Sequence, residues 1–177
     1  MKKIPSFLTI ILVSIMMLSF DAVAQKPKLN DAEIASVGVT ANQIDIDFAK
    51  IAIARTKNDQ ILNFARTMMT DHQAEIDQAT ALVTKLKITP MDNELSKKLN
   101  ADAAETRKKL NEKSDKDFDK AYIDNEVDYH KDVISTVEDV LIPQAQNTDL
   151  KALLKKLVPT LETHLEHAEI IEKAWKY

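Results

Sequence analysis

The chain has 177 residues, 45% hydrophobic and 29% charged, with one glycine and no cysteine. That balance excludes a turn-rich β fold and a disordered chain, and the missing thiols exclude disulfides, thiolate metal ligands, a cysteine nucleophile and lipoprotein-type acylation. A formal net charge of −4 with no basic cluster argues against nucleic acid or an anionic membrane surface as partner.

The N-terminus reads as an export signal. Lys2 and Lys3 precede an uncharged run from Phe7 to Phe20, and Ala22, Val23 and Ala24 follow before Gln25. A basic n-region, an apolar h-region and an A-x-A site make a secretory signal peptide, cleaved after Ala24. The run is shorter than the roughly 20 apolar residues that a bilayer span needs. The expected organisation is a signal peptide over 1–24 and one helical domain over 25–177, exported to the periplasm or cell envelope. No membrane span remains after cleavage, and an envelope protein is the partner class that export leaves open. Removal of Lys2, Lys3 and Asp21 takes the formal charge to −5.

The first helix is expected from Asp31 to about Lys57, with Ile34, Val37, Ala41, Ile44, Phe48 and Ile51 at helical spacing. A flanking row of small residues, Ala35, Gly38, Ala49 and Ala52, contains one carboxylate, Asp45. Asn58 is a natural N-cap for the second helix, Asp59 to about Lys87. Its seam of Ile61, Ala65, Met68, His72, Glu75, Ala79, Leu82 and Leu86 holds two polar residues on the face that should be buried. Pro90 ends this helix and suits the first position of a third, about Asp92 to Glu112. That segment is highly charged, with a thin stripe of Leu95, Leu99, Ala103 and Leu110, so it belongs at the periphery.

Ser114 followed by Asp117 resembles a capping box for the fourth helix, which Pro143 should stop at about Ile142. Its stripe, Phe118, Tyr122, Ile123, Glu126, His130, Val133, Val137 and Leu141, again sets a glutamate and a histidine inward. Thr148 can cap a last helix from about Asp149 to Trp175, bent at Pro159. Leu150, Leu154, Leu157, Leu161, His164, Ala168, Ile171 and Trp175 share its inner face, and His167 lies one turn beyond His164.

At about 1.5 Å per residue, four of these helices are close to 40 Å long and the third nearer 30 Å. Four matched rods make a bundle. A third segment long enough to traverse it would leave the second and fourth helices parallel, which is the single long crossover of a ferritin-like fold. The expected class is therefore all-α: a ferritin-like four-helix bundle with an extra peripheral crossover helix.

Asp45, His72, Glu75, Glu126, His130, His164 and His167 come from all four long helices, and together they form a candidate metal site in the bundle core. Imidazole and carboxylate suit zinc, iron, copper or manganese. The competing interpretation is a non-catalytic envelope or stress-associated structural protein in which the same groups form a histidine–carboxylate hydrogen-bond network. In that case Asp45 could pair with Arg55 or Arg66, and Glu126 with Lys131 or a histidine. Tyr122 and Tyr129 would pack with their hydroxyls at the edge. Convergence of His72, His130 and His164 on one point separates the two. An activated nucleophile at recognisable spacing is missing, and one glycine allows no phosphate-cradling loop, so enzyme chemistry without a metal has little footing.

The runs NQIDIDFAKIA, FARTMMTDHQ, FDKAYI followed by YHKD, and LVPTLETHLEHA resemble a family of exported bacterial proteins described as domain of unknown function 4142. Its members are commonly labelled outer-membrane or exported proteins and are assigned a ferritin-like fold. The resemblance spans nearly the whole chain after the signal. It implies roles for Asp45, Asp71, His72, Phe118, Tyr122, His130, Pro159 and His164, and it leaves the activity open. Asp45 stands where a ferritin would carry glutamate, and no Glu-x-x-His unit is present, so the resemblance lends little support to iron oxidation.

Overall fold

The computed structural model describes residues 28–174, so the expected signal peptide, its expected cleavage site at Ala24 and Trp175 lie outside the described residues. The described chain is helical throughout: α1 (Asp31–Arg55), α2 (Asp59–Leu86), α3 (Glu94–Glu112), α4 (Asp115–Thr136) and α5 (Thr148–Lys173).

Asparagines start most of these helices. The Asn30 side chain accepts from the amides of Ala32 and Glu33, and the Glu33 carboxylate accepts the Asn30 amide in return. Asn58 caps α2 as expected. The third helix begins at Glu94 and not next to Pro90, because the buried Asn93 takes the cap: it accepts from Leu95 and Ser96 while its Nδ2 donates to the Glu33 carbonyl of α1. Ser114 does not close a capping box, since its hydroxyl donates to Asp117 Oδ2 at 2.7 Å. The last helix is capped by Asn147, one residue ahead of Thr148.

Pro143 does not stop the fourth rod. After α4 the chain widens into a π-helical turn, Val137–Leu141, and continues through Ile142–Gln144. In an α-helix the Pro143 ring would press on the carbonyl four residues back and leave it without a donor; the wider π turn relieves both faults.

Hydrogen bonds at the helix ends fix the topology. The Met91 amide donates to Ala32, so α2 descends to the level where α1 begins. Arg55, at the top of α1, donates to the carbonyls of Leu110 and Lys113, which places the end of α3 and the start of α4 at the opposite end. Asp31 accepts from Gln146 and Asn147, so α5 starts beside the start of α1. α3 therefore runs the length of the bundle, α2 and α4 are parallel, and the bundle is ferritin-like with α3 as the peripheral crossover, burying only Ser96, Ala103 and Leu110.

Two apolar clusters fill the interior. One, around Phe48, Phe64, Phe118, Tyr122 and Ile123, lies toward the top of α1; the other, around Ile34, Val37, Leu141, Leu150 and Leu154, lies toward its start. Buried polar side chains are sandwiched between them.

Candidate metal centre

Each long helix sends a polar side chain into the layer between the apolar clusters: Asp45 from α1, His72 and Glu75 from α2, Glu126 and His130 from α4, and His164 from α5. All six are buried, and Asp45 and Glu126 are wholly inaccessible. The helical stripes read from the sequence supply the reason: these positions continue the apolar seams, and burial of the seam carries the polar groups inside with it.

The three imidazoles converge. Ring centroids of His72, His130 and His164 are separated by 5.2, 5.6 and 5.7 Å. One ring nitrogen from each lies within 4.8 Å of the other two. Asp45 is among them, with Oδ2 at 3.3 Å from His72 Nε2 and 3.6 Å from His130 Nε2. Asp45, Glu126 and His130 form a second group with donor atoms within the same separation.

Each ring is anchored through one nitrogen and free at the other. His72 Nδ1 contacts Asn42 Oδ1 at 2.6 Å, His130 Nδ1 the Glu126 carbonyl at 2.9 Å, and His164 Nε2 the Asp71 carboxylate at 3.0 Å. All three partners accept, so each anchored nitrogen carries a proton and donates. His72 Nε2, His130 Nε2 and His164 Nδ1 have no hydrogen-bond partner, and neither does either Asp45 oxygen, because the 3.3 Å contact to His72 is not aligned as a hydrogen bond. An outward N–H held by a carboxylate, amide or carbonyl leaves the other nitrogen's lone pair for a cation, which is the usual outer shell of a metal-ligating histidine. Tetrahedral ligation at about 2.0–2.1 Å would need one nitrogen from each ring to close from within 4.8 Å to roughly 3.3 Å.

The electrostatics of the layer follow from burial and neighbours. Burial opposes charge on His72, but Asp45 and Glu75 outweigh it and push its pKa up to about 10. Burial alone would raise the Asp45 carboxyl; the imidazoles, His72 foremost, hold it below the usual range. Glu126 is pushed well above the usual carboxylate range by burial and then by the Asp45 charge. His130 is lowered by burial and then by His72, and His164 by burial against the opposing pull of Asp71. The layer thus holds one proton on His72 between two carboxylates, in the place where a divalent cation could sit.

Not every expected residue belongs. His167 is exposed and faces away, its ring edge against Phe64 at 5.3 Å between centroids. Its offset from His164 rotates it past the edge of the buried stripe. Glu75 is buried but stands behind His72, 3.5 Å from Nδ1. Arg55 is not a partner of Asp45; it caps α3, pairs with Asp115 and lies over the Phe118 ring at 4.3 Å. Lys131 pairs with Glu169 and not with Glu126. The Tyr122 hydroxyl is in the core without a partner, whereas Tyr129 donates to the Ala41 carbonyl. Sequence reasoning missed Asn42 altogether. The signal was its position three residues before Asp45, one turn away on the same side of α1.

The family model described as "Domain of unknown function (DUF4142)" matches residues 18–171. No curated protein matches the chain. Among solved structures it is similar to one titled "CopM in the Cu(II)-bound form", with a TM-score of 0.65 over 84% of this chain and 99% of that one. The two are 13% identical, so the likeness is one of fold. With the match covering nearly every described residue, the chain belongs to the DUF4142 family.

Proposed function

We propose that this protein is exported to the periplasm or cell envelope, as the pattern from Lys2 to Ala24 suggests, and there binds a divalent transition metal in its bundle core. His72, His130 and His164 would be the ligands, with Asp45 as the fourth donor. The observation that carries this reading is the set of three buried imidazole nitrogens, from three different helices, that lack partners while each ring's other nitrogen is anchored. Buried polar atoms are normally satisfied, and three unpartnered ring nitrogens beside a carboxylate, the one on His72 bearing a proton that an ion can displace, suit a cation.

Zinc, iron and copper all accept this donor set, and within the divalent series copper binds such ligands most tightly. Cu(II) is the first ion to test, since a protein of this fold was solved with it. A bound ion would supply the positive charge that the His72 proton supplies without it. Glu75 and Asn42 orient His72, and Asp71 orients His164.

A second reading rests on the placement of His72 between Asp45 and Glu75. There the imidazolium itself is the cation, and the layer fixes helix register in a non-catalytic structural or stress-associated protein. Metal analysis by plasma mass spectrometry on untagged mature protein separates the two. The metal reading expects about one ion per chain in the parent and none in His72→Ala or His164→Ala. An empty parent that takes up no copper, zinc or iron on addition supports the second reading instead.

A further inference from the structure

A cavity of about 220 Å³ opens beside the histidine layer. Asp45, His72, Glu75 and His130 wall one end; the other runs among Val37, Leu141, Leu154, Leu157 and Leu161. Exposed lining residues mark its mouth between α3 and α4: Asp102, Asp128 and Asp132. Asp102 is paired with Lys98, while Asp128 and Asp132 have no ion pair among the described residues. Gly38, the chain's single glycine, also lines the space, and a Cβ placed on it would meet nothing within 4 Å.

Protein interiors are close-packed, so a void of this size in a small bundle is unusual. An apolar cavity of about 150 Å³ accepts a six-carbon ring, which scales to roughly nine heavy atoms here. The walls are wrong for a hydrated ion on its own. The histidine end has surplus acceptors: Glu75 Oε1 is buried without a partner, and Asp45 lies close by. With carboxylates also at the mouth, an anionic head would be repelled and a donor-rich cationic head attracted. We infer that the cavity binds a medium-chain alkylamine, its ammonium donating to Glu75 and its tail lying among the leucines. Asp45, His72 and His130 wall the cavity and Glu75 contacts His72, so the inference shares the histidine layer with the proposed metal site, and metal-free protein tests the two separately.

The test is isothermal titration calorimetry of n-octylamine against mature protein stripped with a chelator, so that failure here says nothing about the metal. One saturable site is expected, with octanoate of the same chain length at least about tenfold weaker. Gly38→Leu adds a side chain where a Cβ meets nothing within 4 Å and should weaken octylamine by about tenfold or more while circular dichroism and the melting temperature hold or improve. Asp128→Asn with Asp132→Asn should weaken it about threefold through lost attraction at the mouth. Absence of saturable binding, equal affinity for octanoate, or undiminished binding in Gly38→Leu would overturn the inference.

Discussion

Replacing Asp45 by asparagine removes a charge while conserving volume. In metal-free protein the proton on His72 is held chiefly by Asp45, and the pKa of about 10 stands above the ordinary 6.5. A group raised in the fold stabilises fully below its unfolded value and loses that contribution as pH climbs through the folded one. The depressed Asp45 carboxyl works in the opposite sense, contributing above its ordinary 3.8 and fading as pH falls below it. The pair therefore stabilises most between about pH 4 and 6.5 and progressively less toward pH 10. Removing one partner of a buried pair costs about 3–5 kcal/mol, and the low end applies because His72 keeps Glu75. About 3 kcal/mol at pH 6 corresponds to a loss of roughly 6–12 °C in melting temperature for a domain of this size. Urea and thermal denaturation of parent and Asp45→Asn, in chelator at pH 6, 8 and 10, should show a gap that narrows toward zero. A gap that is absent at pH 6, or equal at all three values, would refute the assignment of the His72 proton.

Adding Cu(II) or Zn(II) at about a thousand times its dissociation constant should stabilise the parent by about 4 kcal/mol, seen as a rise of roughly 8–16 °C in thermal denaturation. His130→Ala and His164→Ala should lose that rise. His167→Ala, altering an exposed ring outside the layer, should keep it. Because the ion displaces the His72 proton, binding should release about one proton below pH 10 and tighten as pH rises. Calorimetry in buffers of different ionisation enthalpy measures that proton directly. Arg55→Ala should cost about 2 kcal/mol with metal binding unchanged, since it removes two hydrogen bonds to the end of α3 and the contact over Phe118, all remote from the histidines.

Much of this architecture is legible in the sequence because it rests on periodicity. The seams of Ile61 to Leu86 and of Leu150 to Ile171 name most of the buried faces, although Val83 and Val158 are buried where Leu82 and Leu157 are only half-buried, and the lengths of four rods and one shorter connector give the crossover without coordinates. Helix boundaries were harder to read where two local signals compete. Pro90 and Asn93 both fit a helix start, and Asn93 wins because its Nδ2 also reaches α1. Pro143 reads as a stop, but the π turn lets the chain pass it. The inward direction of His72, His130 and His164 follows from their stripes. Their common level does not, since it depends on axial offsets between helices that no sequence period encodes. The anchors Asn42 and Asp71 are set by packing across helices, and the cavity beyond Glu75 is a property of what side chains fail to fill, which a linear pattern does not record.

The central claim is tested most directly by anomalous diffraction from crystals of the mature protein loaded with Cu(II) or Zn(II), with data collected on either side of the metal's absorption edge. The account predicts one strong peak bounded by His72 Nε2, His130 Nε2 and His164 Nδ1, with Asp45 completing the shell. A peak confined to the surface near Asp71 and His167, or density showing the three rings closed on one another through protons alone, would contradict it.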